Sequence, residues 1–558
     1  MKSHHGIKVA LIVDSSSVSM HDYDLIKWSQ NKEHIAITHL IIQKLPVKTL
    51  SRSRIMRQLR LIKEQGVVGY LEARLWRIIY LIERKIAARV HDGKRSLPCD
   101  VGKMLDGNIE VTPNISKSGL VYRYKDSDIS KIRREGFDVL IRCGSGILRG
   151  EILNVCRFGI LSFHHADNRI NRGVPPCFWE VYYKQPQTGF IIQQLTDELD
   201  GGNILCRGSF PTQQFWHLNL ESVYKRSNYY FKQLLNNIAN NDALGPFEEN
   251  IPYCNKLYKK PGLYAQLNYL RQTFSRRLRK KIHYQILGKR QLWGVSFSKC
   301  SWRNLAMYKA KRISNPDGRY LADPFVYSRE GKDYCFVEDF DLNKGSANIS
   351  VYELLDSEAV YLGEVLGEPF HMSFPYLFEY ESQLYMVPET SENSDIRIYK
   401  CIDFPLKWEL ESVAMDNVSA ADSMIFKKGD YWWLMSNINP MGHNDHCSEL
   451  MIFYARNPLD GDWTPHAENP IYIDPSVARN GGLLFDGERI FRVAQVLGFA
   501  QYGAKSKILE IEKISPDEYK ENLICTNEPN FFEGLRGTHH LHSNEEVTAF
   551  DFVWEQKL

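Results

Sequence analysis

Residues 7–14, IKVALIVD, are a run of apolar, mostly β-branched positions that ends in a polar turn. That pattern predicts a strand buried on both faces. Similar runs follow at 138–148 (DVLIRCGSGIL), 158–163 (FGILSF) and 189–195 (GFIIQQL), while 221–238 (ESVYKRSNYYFKQLLNNI) has the helical period. Strands alternating with helical stretches predict a parallel α/β sheet. Residues 51–95 differ: Leu71, Leu75, Ile78, Ile79 and Ile82 recur at helical spacing, and basic residues outnumber acidic ones by 12 to 4. This reads as a helical insertion with a solvated basic face, suited to an anionic lipid surface or an acidic partner. Periodicity weakens over 245–295, a basic, partly helical stretch taken as a connector.

From residue 296 short aromatic and β-branched strands alternate with polar turns, and FVYSREGKDYCFVED, YLFEYESQLYMVPE, MIFKKGDYWWLMS and LLFDGERIFRVAQ each read as a hairpin. Landmarks Asp323, Pro375, Asp422, Gly481 and His539 are 52, 47, 59 and 58 residues apart by subtraction. Repeats on this scale predict five propeller blades. The expected organisation is an α/β domain over 1–244, a connector over 245–295 and an all-β five-bladed propeller over 296–558.

Length changes the picture little: 558 residues suit two to four domains, and 43% hydrophobic with 25% charged residues is ordinary globular composition. A net charge of +3 argues against nucleic acid as the main partner. The 11 cysteines show no metal-binding spacing, which fits reduced thiols, and no run is apolar enough for a signal peptide or a membrane span. The chain therefore reads as soluble and cytoplasmic, with peripheral contact to an anionic membrane as an option.

The stretch ILSFHHADNRINRG at 160–173 is followed by Thr188-Gly189 and by Leu199, Asp200, Gly201 and Gly202. These ordered motifs resemble the folate-dependent formyltransferases, and the fold this implies is a Rossmann-like α/β domain. The resemblance puts the family histidine at His164 and the family aspartate at Asp200, with 10-formyltetrahydrofolate as donor. His164 would stabilise the oxyanion formed when an amine attacks the formyl carbon, and Asp200 would organise the proton relay. Ser162 stands where the family has asparagine, and Asn168 and Arg172, in the altered loop beyond it, are candidate substrate contacts. Neighbouring His164 and His165 point to opposite faces of a strand, so no metal is expected there.

YLADPFV, FVEDFD, FHMSFPYLFEY, YMVPETSEN, AADSMIF and NGGLLFDGERIFRVAQ, in that order over 320–495, resemble the five-bladed propellers of arabinanase-like glycosidases. They are also similar to the glycosidase-like domain of the glucosamine inositolphosphorylceramide transferases. The resemblance implies Asp323 as general base and Asp422 in place of the third-blade acid, with no modulating aspartate evident near Ser373 and Pro375. Glu389, Glu338, Arg479 and His539 are further candidates to line the funnel. The two halves together imply an amino-sugar formyltransferase with a glycan-binding propeller, in surface polysaccharide or lipopolysaccharide biosynthesis, acting on a nucleotide- or lipid-linked sugar. The alternatives are glycosyl hydrolysis or transfer in the propeller beside a degenerate first domain, and a non-enzymatic glycan-binding assembly protein.

Overall fold

The computed structural model describes residues 6–46, 54–90, 98–198, 201–249, 251–442 and 445–557. The chain divides into two compact units, the second beginning at Arg276 and also taking in Ser209–Pro211.

The first unit is built on a seven-stranded sheet: β1 (Ile7–Val13), β2 (Ile35–Gln43), β3 (Gly107–Val111), β4 (Val139–Arg142), β5 (Ile160–His164), β6 (Gln187–Gln194) and β7 (Asn203–Pro211). Their order across the sheet is β7-β6-β5-β4-β1-β2-β3. The pairs β1–β2, β2–β3, β1–β4 and β4–β5 are parallel. The order 3-2-1-4-5 of the parallel strands is that of a Rossmann-type doubly wound sheet. The parallel sheet expected from the sequence needs one correction, because β6 runs antiparallel to β5. A short apolar run carries no mark of strand direction, so the pattern could not give it.

Helices α1 (Met20–Ser29), α2 (Arg54–Val90), α3 (Asp126–Arg134), α4 (Phe178–Tyr183), α5 (Trp216–Asn241) and α6 (Leu263–Lys281) accompany the sheet. On α2, which is interrupted at Gly66 (φ 71°), Ile79, Glu83 and Ala87 are buried, whereas Leu71, Ile78 and Ile82 are exposed.

The second unit contains five antiparallel sheets. Strands β9 (Arg319–Arg329), β10 (Ser373–Tyr380), β11 (Ala420–Lys428), β12 (Asn480–Asp486) and β13 (Leu541–Ser543) are the inner strands. Each touches the next in order, and β13 returns to β9, closing a five-bladed ring. The last sheet joins both ends of the unit: β8 (Lys289–Ser298) pairs over ten residues with β14 (Thr548–Lys557). The propeller thus takes in residues from 289, which the sequence pattern assigned to the connector. The opening residues of β8, KRQ, carry charge and polarity at the rim and hide the strand.

A buried ion pair holds the fourth blade to its surroundings. Arg492 lies 2.5 Å from Glu521, with both side chains at 0% exposure, and Arg492 also donates to the carbonyls of Val477 and Ala478. Arg492→Met should cost about 3–5 kcal/mol by leaving Glu521 buried and unpaired, and Arg492→Met/Glu521→Met should recover most of that loss. Denaturant unfolding of the three proteins checks it.

Candidate functional site

In the first unit, a pocket of about 110 Å³ opens where β4 and β5 end, lined by Arg142, Ser162, His164, Gln193 and Leu195 among others. This is the carboxyl edge of the sheet, where doubly wound folds place their ligands. His164 Nε2 is 3.5 Å from the carbonyl of Asn171, and the Ser162 hydroxyl donates to the carbonyl of Phe163 at 3.2 Å. The glycine motifs around the pocket have a packing reason. A Cβ on Gly173 would sit 1.9 Å from the carbonyl oxygen of Tyr258, and one on Gly189 would sit 2.6 Å from the backbone nitrogen of Asp167. Both glycines let one backbone cross another closely.

Asp200 and Leu199 lie outside the described residues, so the expected pairing of His164 with Asp200 is not placed. Asn168 and Arg172 do not line the pocket. Asn168 is buried and its Oδ1 accepts from Arg207, while Arg172 donates to the Asn168 carbonyl and stacks on Tyr253. In this structure the two residues brace the loop against its surroundings. His165 packs among His21, Phe163 and Tyr224, and burial holds its imidazole well below the usual range. At about 110 Å³ the pocket is smaller than the few hundred Å³ of an ordinary ligand site.

In the propeller, one local device recurs. The inner strands are bulged after Ala322, Ser373, Ala421 and Asn480, so that two residues oppose one. The bulges carry positive φ at Asp323 (47°), Phe374 (49°), Asp422 (50°) and Gly482 (118°). In the fifth sheet the pairing breaks between Gly537 and Leu541, and the interval holds His539 and His540. The five landmarks of the sequence pattern fall at these breaks. The second-blade position is taken by Phe374, one residue before Pro375, so this blade brings an apolar ring where its neighbours bring carboxylates. Aligning ADPF, SFPY and ADSM would have revealed it.

Asp422 is buried and well partnered. Arg479 Nε lies 2.6 Å from its Oδ2, and Gln495 donates to the same oxygen at 2.9 Å. Burial pushes its carboxyl up to about 6, with Arg479 opposing. Arg479 also lies 3.8 Å from Glu389 and over the Tyr502 ring. Asp551, in β14, forms a second pair: its Oδ2 is 2.6 Å from His539 Nδ1, and its Oδ1 accepts from the N–H groups of His539 and His540, each at 3.0 Å. Although burial opposes it, His539 holds Asp551 below the usual carboxylate range. His539 is raised by Asp551 against burial, and its ring stacks on Trp293 at 4.0 Å.

Asp323 has no such donor. Its Oδ1 is buried without a hydrogen-bond partner, 3.8 Å from His539 and 3.7 Å from His540. Burial pushes its carboxyl up to about 7, Asp422 and Asp551 add to the rise, and His539 and Arg479 oppose it. Glu338, 3.8 Å from His371, is likewise raised well above its ordinary value, by burial first and then by Asp323 and Glu389. Asp551, Gln495, Tyr502 and Trp293 had no sequence signal, since they come from outer or closing strands whose register is set by the fold. Asp323, His539 and Asp551 bring ligand atoms within 4.8 Å of one another and could hold a cation, a grouping the sequence pattern did not suggest.

An acid whose folded pKa is raised binds more protons in the native state than in the unfolded one. Stability therefore falls as pH rises from about 4 to about 7. Asp323→Asn should remove that slope, making the variant more stable than the native protein above about pH 7 and no more stable below about pH 4. Thermal unfolding across this range checks it.

The family described as "Glucosamine inositolphosphorylceramide transferase 1, N-terminal" matches residues 305–547. Glucosamine inositolphosphorylceramide transferase 1 of Oryza sativa subsp. japonica is 37% identical over 207 residues, 36% of this chain and 27% of that protein. The Arabidopsis thaliana protein of the same name is 35% identical over 208 residues. The chain thus spans about a quarter of these plant relatives' length. Methionyl-tRNA formyltransferase of Ehrlichia ruminantium is 25% identical over 223 residues, 38% of this chain and 72% of that protein. Among solved structures, glycinamide ribonucleotide transformylase 1 from Symbiobacterium toebii is 13% identical with a TM-score of 0.28, covering 43% of this chain and 90% of that one. An α-L-arabinanase of Cellvibrio cellulosa is 15% identical with a TM-score of 0.28, covering 36% and 77%. In its sequence relatives the chain is similar to transferases of two kinds, one a formyltransferase and the other a transferase whose name carries an amino sugar.

Proposed function

We propose that the propeller funnel performs acid–base chemistry at a glycosidic bond, as a glycosyl-transferring or glycosyl-cleaving site. The observation that carries this reading is the contrast between two buried carboxyl groups at equivalent bulges: Asp422 receives Arg479 and Gln495, whereas Asp323 receives no donor. Glycosidic chemistry needs one carboxyl that keeps a proton and one that does not. Asp422, held as the anion, suits the base or nucleophile. Asp323, with an unpartnered oxygen and carboxylates around it, suits the general acid. This order is opposite to the one the arabinanase-like resemblance implies, because in this chain the arginine lies beside Asp422. Glu338, whose carboxyl burial and the neighbouring carboxylates push up, and Arg479 would position the sugar. The names of the plant relatives point to an amino sugar and a lipid acceptor as the first substrates to try.

Substrates with different leaving groups test the roles. Aryl glycosides with a good leaving group need no proton, while poor leaving groups do. Asp323→Asn should lose roughly 10²–10⁴-fold in kcat on poor leaving groups and little on good ones, and Asp422→Asn should lose on both. Equal losses for Asp323→Asn on the two classes would reverse the assignment. No loss in either variant would remove the funnel chemistry.

The pocket at Ser162, His164 and Gln193 favours a second reading, formyl transfer to an amino sugar. 10-Formyltetrahydrofolate would supply the formyl group, and His164 would present a donor or acceptor at the mouth of the pocket. Under this reading His164→Ala abolishes formylation of an amino sugar and leaves the aryl-glycoside assay unchanged. Mass spectrometry of the sugar product reads it.

A further inference from the structure

We propose that helix α2 and the part of helix α6 that lies in the first unit, residues 263–275, form a surface on which the protein lies against an anionic membrane. Both helices are amphipathic in an unusual sense: one face is bound into the unit and the opposite face exposes large apolar side chains. On α2, Ile79, Glu83 and Ala87 turn inward, while Leu71, Ile78 and Ile82 are 47%, 53% and 53% exposed. On α6, Gln266 and Tyr269 are buried, while Tyr264, Leu267 and Phe274 are 81%, 52% and 71% exposed. At 100° per residue each trio falls within one stripe of its helix.

Charge selects the occupant. Arg74, Arg77, Lys85 and Arg89 flank the stripe of α2 and are exposed. The acidic side chains described on α2 are used internally: Glu72 accepts from the Leu263 N–H, and Glu83 accepts from the His217 N–H and the Tyr269 hydroxyl. Up to Ser275, where the first unit ends, helix α6 has no acidic residue and carries the exposed Arg271. Among the described residues the exposed apolar stripe is bordered by basic side chains, which fits lipid tails beneath anionic headgroups. A second copy of the chain fits less well, since face-to-face packing would bring these like charges together. Among the described residues no helix is long and apolar enough to cross a membrane, so the contact is with the surface.

The test is flotation of the chain with vesicles of phosphatidylcholine alone and of phosphatidylcholine with an equal part of phosphatidylserine, at low and high salt. Binding is expected only to the anionic vesicles, and to weaken as salt rises. Arg74→Glu/Arg77→Glu/Lys85→Glu should lower the affinity at least about tenfold. Ile78→Asp/Phe274→Asp should abolish binding, and because these positions are exposed both variants should keep the native unfolding midpoint. Absence of binding, binding indifferent to lipid charge, or binding unchanged in both variants would overturn the proposal. So would a monomer–dimer equilibrium that Ile78→Asp/Phe274→Asp removes while no vesicle binding is seen, which would assign the face to a second copy.

Discussion

The propeller site depends on one backbone constraint, the bulge at the head of each inner strand. A strand in regular pairing sends alternate side chains to opposite faces of its blade. An extra residue in the left-handed region breaks that alternation and re-aims the side chain. Asp323 and Asp422 take φ values of 47° and 50°, a conformation aspartate tolerates better than most residues. Phe374 takes 49° and has no such tolerance, so its strain is carried by packing against Phe325 and His540. Equal backbone geometry in successive blades therefore delivers different chemistry according to which side chain sits at the bulge.

The electrostatics follow from that placement. Two of the carboxylates at the head of the funnel have a cation in close contact: Asp422 has Arg479 and Asp551 has His539, each at 2.6 Å. Asp323 lies between these pairs and is left with oxygen unpartnered. Its neighbour His540 is itself buried, with its imidazole lowered to about 3, and is therefore neutral and brings no compensating charge. Burial first, and then the neighbouring carboxylates, push the Asp323 carboxyl up. The uneven sharing of cations, more than the count of acids, separates the surroundings of Asp323 from those of Asp422.

The first unit shows a division of labour between its two sides. The carboxyl edge of the sheet builds the pocket from β4, β5 and β6, while Gly173 and Gly189 allow close backbone crossings at Tyr258 and Asp167. Helices α2 and α6 are joined to the unit through Glu72, Glu83 and Tyr269, which leaves their apolar and basic residues outward. Both polar and apolar groups anchor these helices inward, while large apolar side chains also face outward, which an ordinary surface helix avoids.

The sequence by itself determined the two architectures. Period-two runs separated by turns mark the hairpins of the blades, and buried runs alternating with helical stretches mark the α/β unit, because side-chain spacing repeats with the backbone. It also marked Asp323, Asp422 and His539, since bulge positions recur at blade spacing. It did not show that β6 is antiparallel, that β8 closes the ring, or that Phe374 rather than Pro375 occupies the second bulge. Those features depend on register between strands, and register is set by partners distant in the chain. The tertiary structure alone decided how the cations are shared among these carboxylates. Arg479 and Asp422 are 57 residues apart in sequence and His539 and Asp323 are 216 apart, so only folding could bring the arginine to 2.6 Å from Asp422 and leave the histidine 3.8 Å from Asp323.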